Sequence, residues 1–252
     1  MCRHLAYVGN PVALGTLLTD PEHSLARQAQ AARHQASGTE NPHGYGVGWW
    51  DPTGTLQRYR TATSIWEDPS LPALARDECS GAVLAAVRLA SPGLPVEASG
   101  NAPFTDGTWL FSLNGSVDGW HDGVGDDLRA LVSPNRVAAI EGVTDSAVCF
   151  ALALDRLGAG APPDAALRGV VHDVSARTTG RLNFLLTDGR TIAATTWGNS
   201  LFTRVDERAA VVASEPLDDD PAWAQVPDRM LVTVAAATVT TAPIASDELR
   251  EH

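Results

Sequence analysis

The chain has 252 residues, of which 44% are hydrophobic and 19% are charged, and its formal net charge is −12. This composition is typical of a globular protein whose core is large enough to fold without disulfides or a structural metal. The excess of acidic residues disfavours nucleic acid and anionic membrane surfaces as partners, because both recognise basic patches. A small molecule, neutral or cationic, is therefore the expected ligand.

The three cysteines, Cys2, Cys79 and Cys149, show no spacing typical of a disulfide framework or a metal site. The N-terminal segment contains no apolar run of signal-peptide length. No stretch reaches the ~18 apolar residues that a membrane-spanning helix needs. We therefore predict a cytoplasmic protein in which a reactive thiol stays reduced, and we expect Cys79 and Cys149 to be structural.

Hydrophobic periodicity and turn signals predict the elements in chain order. The first half contains a strand from residue 2, a helix at 24–36, a hairpin at 45–60, a buried strand at 81–90, and a strand at 108–117 that runs into an Asn-Gly turn. A loop with short helical pieces follows at 115–142, then helices at 144–158 and about 164–176. Six short strands are predicted from residue 181 onward, with an acidic loop at 214–228.

The order of these elements predicts the fold class. Strands do not alternate one-to-one with helices, which disfavours a doubly wound parallel sheet. Two antiparallel sheets packed face to face, with helices outside, fit the order better. We therefore predict an α+β fold in which residues 2–252 form a single domain.

Cys2 is the candidate nucleophile. Since an initiator methionine is trimmed when the next residue is small, removal of Met1 would leave a thiol and a free α-amine on one residue. An N-terminal amine has a pKa of about 7.7–8.0 and serves as a general base near neutral pH. Such a pairing hydrolyses amides through a covalent intermediate. The alternative is a cysteine that merely follows the start codon.

Four further residues suit this chemistry. Asn114 offers a side-chain NH₂ and Gly115 an accessible backbone N–H, a pair of donors for an oxyanion, or they form an ordinary Asn-Gly turn. Arg88 follows a buried strand and fits a carboxylate, unless an internal ion pair uses it. Asp145 begins a helix, where it binds a substrate ammonium or complements the helix dipole. Together they describe a pocket for a glutamine-like γ-glutamyl amide.

Short segments spread along the chain resemble class II glutamine amidotransferases. They are MCRHLAYVG, NPHGYGVGWW, AAVRLASPG, NAPF, FSLNGSV, TDSAV and ASEPL, in this order from residue 2 to about residue 235. The resemblance implies the fold of the N-terminal nucleophile hydrolases, a four-layer αββα sandwich of two antiparallel sheets. It also implies Cys2 as nucleophile, Asn114 and Gly115 as the oxyanion hole, and Arg88 and Asp145 as ligands of the glutamyl carboxylate and ammonium.

The chain departs from the family pattern after the buried strand. The family often carries Arg-x-x-Thr-His there, whereas this chain has Arg-Leu-Ala-Ser-Pro at 88–92. Ser91 can take the place of the threonine, so the predicted substrate-binding residues are Arg88, Leu89, Ser91 and Asp145. The predicted chemistry requires no metal and no other cofactor.

The predicted activity is hydrolysis of a γ-glutamyl amide through a γ-glutamyl thioester, because 252 residues leave no room for a synthase domain. Three alternatives stay open: a glutaminase subunit of a separate synthase, a non-catalytic binding domain, and a bile-salt or penicillin-type amidase. The Arg88–Asp145 pair argues against the last, whose substrates lack a free α-amino acid end. We expect the loops at 28–43, 61–72 and 115–142 to recognise the leaving amine, and a homo-oligomer is compatible with the sequence.

Overall fold

The computed structural model describes residues 2–34, 40–91, 93–235 and 238–244, and within them thirteen strands form two antiparallel sheets. The first sheet contains, in spatial order, β11 (Ala224–Gln225), β9 (Phe202–Val205), β10 (Ala209–Ala213), β1 (Arg3–Ala13), β4 (Cys79–Val87), β2 (Tyr45–Trp50) and β3 (Leu56–Thr61). The second contains β13 (Thr238–Pro243), β12 (Met230–Ala235), β8 (Thr191–Thr195), β7 (Gly180–Thr187), β6 (Leu110–Val117) and β5 (Phe104–Thr105).

Helices cover the outer face of each sheet. In the described part of the chain they are α1 (Gly15–Leu18), α2 (Leu25–Gln30), α3 (Leu71–Asp77), α4 (Gly125–Arg129), α5 (Pro134–Val137), α6 (Asp145–Gly158) and α7 (Pro163–Ser175). A 3₁₀ turn spans Ala98–Gly100 and a π-helical turn spans Trp120–Val124. No helix of the described ranges has the length and hydropathy needed to cross a membrane.

The alternation of side chains along β1 explains the layers. Ala6 and Val8 belong to the apolar cluster between the two sheets, whereas Leu5 and Tyr7 belong to the cluster that includes residues of α1, α2 and α3. A third cluster joins the outer face of the second sheet to α6 and α7. The result is a four-layer αββα sandwich, which confirms the predicted fold class.

The two central helices, α6 and α7, lie where the sequence predicted them. The Thr144 hydroxyl accepts a hydrogen bond from the Ala147 backbone N–H at 3.2 Å and so caps α6, as expected of a threonine before a helix. The predicted helix at 24–36 is shorter than expected, because only Leu25–Gln30 is helical and residues 35 and 36 lie outside the described ranges. The Arg33 backbone N–H donates to Oε2 of Glu215 at 2.7 Å, so a tertiary contact replaces helical bonding there.

The interpretation of Asn114-Gly115 as a turn is wrong. Both residues lie inside β6 and pair with Asn183 and Leu182 of β7, and the ladder continues to Val117. The two-strand pairing therefore overrides the local turn preference of Asn-Gly. Asn114 is fully buried as a result, which an exposed turn would not allow.

The two other cysteines differ in their surroundings. Cys149 is fully buried on α6, and burial raises the pKa of its thiol well above the usual value, which confirms a structural role. Cys79 is exposed at the first residue of β4, which does not fit the structural role predicted for it.

Candidate active site

The pairing of β1 with β4 places Cys2 beside Arg88. Arg3 lies opposite Val87 in this antiparallel pair. Cys2, which precedes Arg3, and Arg88, which follows Val87, therefore lie at the same end of the two strands. Burial lowers the pKa of Arg88, and electrostatic interaction with Cys2 and Asp145 opposes that lowering. The predicted nucleophile, Cys2, and the predicted ligand of the substrate carboxylate, Arg88, therefore lie side by side.

Arg3 holds the main chain of Cys2 in place. Its Nε donates to the Cys2 carbonyl oxygen at 2.7 Å, and its Nη1 forms a fully buried ion pair with Oε1 of Glu215 at 3.1 Å. Burial lowers the pKa of Arg3, and the charge of Glu215 opposes that effect. This contact uses the carbonyl group of Cys2 and does not engage its nitrogen or its thiol.

Arg88 has an incomplete set of partners. Its Nη1 donates to the Pro95 carbonyl oxygen at 3.1 Å and lies 3.5 Å from Oδ1 of Asn101. Its buried Nη2 has no partner within the described ranges, and none of the ion pairs found there uses this side chain. The internal ion pair considered from the sequence is therefore absent from this part of the chain, and one edge of the guanidinium is left for an anion.

Asp145 is fixed by backbone donors at the start of α6. Its Oδ2 accepts from the Val117 N–H at 3.0 Å and its Oδ1 from the Ser146 N–H at 2.8 Å. Burial nevertheless raises the pKa of this carboxyl, against these bonds and the charge of Arg88. A buried carboxylate next to a partly unpaired guanidinium suits a ligand that carries both an ammonium and a carboxylate.

Asn114, one of the two predicted oxyanion donors, connects the two sheets. Its Nδ2 lies 3.2 Å from Oγ of Ser214, which also accepts from the His4 backbone N–H at 3.1 Å. The His4 ring lies 3.0 Å from Oγ of Ser112 on β6, and burial together with the charge of Arg3 lowers the pKa of His4 to about 3. His4 is thus neutral and structural, and it keeps the start of β1 against β6.

A cavity of about 420 Å³ opens at Asp145, and Cys2, Arg88, Asn114 and Gly115 are not among the described residues that line it. It is lined by residues 89–91 and 116–122, together with Leu94, Asp145 and Arg181. Three predicted substrate-binding residues, Leu89, Ser91 and Asp145, therefore line one cavity. Of the loops expected to recognise the leaving amine, only 115–142 contributes to this lining, and residues 35–39 of the first loop lie outside the described ranges.

Several residues of the site were not predicted. Ser214 and Glu215 belong to the ASEPL segment, which resembles the family but gave no local reason for a role.

A cluster of potential metal ligands lies outside the site. Glu22, His23 and Asp219 bring their ligand atoms within 4.8 Å of one another, yet none of them lines the cavity. Asp219 already pairs with Arg33 and His23 at the surface.

Gly115→Ala is expected to destabilise the protein, since a Cβ there would run into the carbonyl oxygen of Arg181 on β7. Crowding of this kind costs roughly 1–3 kcal/mol, and we expect a Tm lower by several °C with slower hydrolysis. Thermal unfolding and steady-state rates measure both effects. Gly158→Ala is the control, because the nearest atom to its Cβ is 3.8 Å away. Equal Tm values for the two variants would contradict the account.

Comparison with known families identifies the class to which this fold and site belong. The family model of class II glutamine amidotransferases matches residues 16–203. The chain therefore belongs to the class II glutamine amidotransferase family, which confirms the resemblance predicted from its short segments.

One relative with a similar sequence and two proteins with similar structures illustrate how this chain compares with members of the family. The chain is 40% identical over 248 residues to the γ-glutamyl-hercynylcysteine sulfoxide hydrolase of Mycolicibacterium smegmatis, and this match covers 97% of the chain and 100% of the relative. A class II glutamine aminotransferase domain protein from Silicibacter pomeroyi superposes with a TM-score of 0.73 at 23% identity, over 97% of this chain and 100% of that one. The glutamine phosphoribosylpyrophosphate amidotransferase of B. subtilis superposes with a TM-score of 0.68 at 14% identity, over 98% of this chain and 50% of that one. Both structures share the fold.

Proposed function

We propose that this chain removes glutamate from γ-glutamyl-hercynylcysteine sulfoxide by hydrolysing its γ-glutamyl amide bond, a step of ergothioneine biosynthesis. The observation that carries the proposal is the register of β1 and β4, which places Cys2 beside Arg88, together with the electrostatic interaction of Arg88 with Asp145. A thiol beside groups for an ammonium and a carboxylate fits an amide with a free α-amino acid end. The relative with 40% identity over 97% of this chain carries the name of this activity.

In the proposed mechanism Met1 is removed, and the free α-amine of Cys2 takes the proton of its own thiol. The thiolate attacks the γ-carbonyl carbon, while the Asn114 side-chain NH₂ and the Gly115 backbone N–H stabilise the oxyanion. The resulting ammonium protonates the leaving amine as the C–N bond breaks, which leaves a γ-glutamyl thioester on Cys2. The amine then takes a proton from water, whose oxygen attacks the thioester, and glutamate leaves as the thiol re-forms.

The glutamyl end is held by the two charged residues. Arg88 offers its unpaired Nη2 to the α-carboxylate, which would complete the partners of a buried guanidinium. Asp145 receives the α-ammonium, whose positive charge offsets the cost of burying that carboxylate. Leu89 and Ser91 line the same cavity as Asp145 and complete the proposed substrate-binding set.

The pH dependence of KM should follow Asp145. Only the ionised carboxylate binds an ammonium, and burial raises its pKa, so KM should rise on acidification at a higher pH than an exposed aspartate would give. The N-terminal amine, with a pKa of about 7.7–8.0, must be neutral to act as a base, so kcat should fall below that range. Rates measured from acid to neutral pH separate the two effects.

Two variants control this experiment. Asp145→Asn should raise KM and remove its pH dependence while the fall of kcat persists. Asp164→Asn changes the corresponding first-turn acid of α7, which does not line the cavity, and should behave as the native protein. A KM profile that Asp145→Asn leaves unchanged would contradict the ammonium-binding role.

A glutaminase subunit of a separate synthase would use the same residues, so substrate preference has to decide. Glutamine, γ-glutamylcysteine, glutathione and the hercynyl sulfoxide conjugate can be compared by the glutamate that they release. We expect the hercynyl conjugate to have the highest kcat/KM. Preference for glutamine, stimulated by a co-purifying partner, would instead support the subunit.

We also propose that residues 2–252 act as one domain on a small-molecule substrate in the cytoplasm. The shared cluster between the two sheets supports a single domain, because strands from both ends of the chain contribute to it. The net charge of −12 supports a function without nucleic acid. The requirement for a free Cys2 thiol supports a reducing compartment. Sedimentation analysis would determine whether the protein forms a homo-oligomer.

A further inference from the structure

The hydroxyl of Ser214 occupies a fully buried position between β1 and Asn114. Its Oγ accepts from the His4 backbone N–H at 3.1 Å and lies 3.2 Å from Nδ2 of Asn114. Both neighbours are donors in this arrangement, so the hydroxyl hydrogen of Ser214 has no acceptor among the hydrogen bonds of the described ranges. Oδ1 of Asn114 is also buried, and it has no donor there.

If the Asn114 amide had the opposite orientation, the Ser214 hydroxyl hydrogen and Oδ1 of Asn114 would form a hydrogen bond with each other. Rotation by 180° about the Cβ–Cγ bond exchanges Oδ1 with Nδ2 and leaves the side chain in the same volume. Ser214 then keeps the bond from His4 and donates its own hydrogen to Oδ1 of Asn114. The Nδ2 group moves to the buried position that has no partner within the described ranges, where an N–H requires an acceptor.

The rest of Asn114 is fixed, so the amide orientation is the remaining variable. Its backbone pairs with Asn183 in the sheet, and its carbonyl oxygen accepts from Nδ2 of Asn199 at 3.0 Å. The proposed function places the developing oxyanion at the unpaired amide position of Asn114. With Oδ1 at that position, a lone pair would repel the oxyanion. With Nδ2 there, the same position attracts it.

We propose that Ser214 is a positioning residue for the oxyanion hole: its hydroxyl donates to Oδ1 of Asn114 and turns the NH₂ group toward the substrate oxygen. This inference rests on the proposed function, in which Asn114 stabilises the oxyanion. Its expected signature is an effect on kcat with little effect on KM, because the oxyanion forms only in the transition state.

A double-mutant cycle tests the proposal. Asn114→Ala should lower kcat on the order of 100–1000-fold, and Ser214→Ala about 10- to 100-fold, with KM changed less than about twofold in either variant. The double variant should be no slower than Asn114→Ala alone, because Ser214 acts through Asn114. Ser214→Cys keeps the size of serine but has a weak donor, and it carries the test if Ser214→Ala does not fold.

Ser80→Ala is the matched control. Ser80 is also buried, and its hydroxyl accepts from the Ala82 N–H at 3.0 Å and donates to the Trp50 carbonyl oxygen at 2.7 Å. Its loss should lower Tm without a change in kcat. Native kcat in both Ser214 variants, or losses that multiply in the double variant, would overturn this inference alone. Native kcat in Asn114→Ala would overturn the oxyanion role of Asn114 and this inference with it.

Discussion

Replacement of Cys2 by alanine is expected to abolish hydrolysis and leave the fold intact. Without the thiol no thioester forms, and losses from removing a nucleophile reach the order of 10⁶-fold in kcat. Stability should be preserved because the Cys2 group bonded to Arg3 is the backbone carbonyl, which alanine retains. Steady-state release of glutamate and thermal unfolding measure the two outcomes.

The matched control for this variant is Cys79→Ala. Cys79 is a free cysteine that is exposed on the surface, so its loss should change neither kcat nor Tm. Substantial turnover by folded Cys2→Ala protein would show that another group attacks the amide.

Replacement of Arg88 by alanine is the second large effect that we expect. It would leave the substrate carboxylate without its partner in a buried site, a loss of about 2–5 kcal/mol that corresponds to roughly 30- to 5000-fold in kcat/KM. Arg88→Lys should recover only part of this loss, because lysine keeps the charge and lacks the planar fork. Kinetics with the γ-glutamyl substrate measure both variants.

A substrate that lacks the α-carboxylate provides an internal control. A 4-aminobutanoyl amide with the same leaving amine should be poor for the native protein and no poorer for Arg88→Ala. Arg168→Ala changes an exposed arginine of α7 and should behave as the native protein. An equal loss on both substrates in Arg88→Ala would assign Arg88 a structural role instead.

The sequence predicted the layers of the fold because its periodic signals are local. The α6 helix carries both a threonine cap and an apolar repeat, and the strands after residue 181 are separated by clear turns. Asn114 and Gly115 show where local signals fail, since pairing with β7 keeps an apparent turn in a strand. The early end of α2 has a similar cause, because the Arg33 N–H bonds to Glu215, 182 residues away in sequence.

The candidate site was predictable where chemistry alone singles out a residue. A cysteine after Met1 and an arginine at the end of an apolar strand are unusual in any sequence, whereas Ser214 and Glu215 are ordinary residues of a loop. Their importance comes from hydrogen bonds to Asn114 and Arg3, which lie 100 and 212 residues away. Such contacts depend on the packing of the two sheets, and no sequence spacing encodes them.

The most direct test of the account is mass spectrometry of the N-terminal peptide from enzyme quenched with acid during turnover. We predict a peptide that begins at Cys2 and carries one glutamyl group on its thiol. A catalytically active protein that retains Met1, or an active protein with the glutamyl group on another residue, would contradict the central role of Cys2 and its free amine.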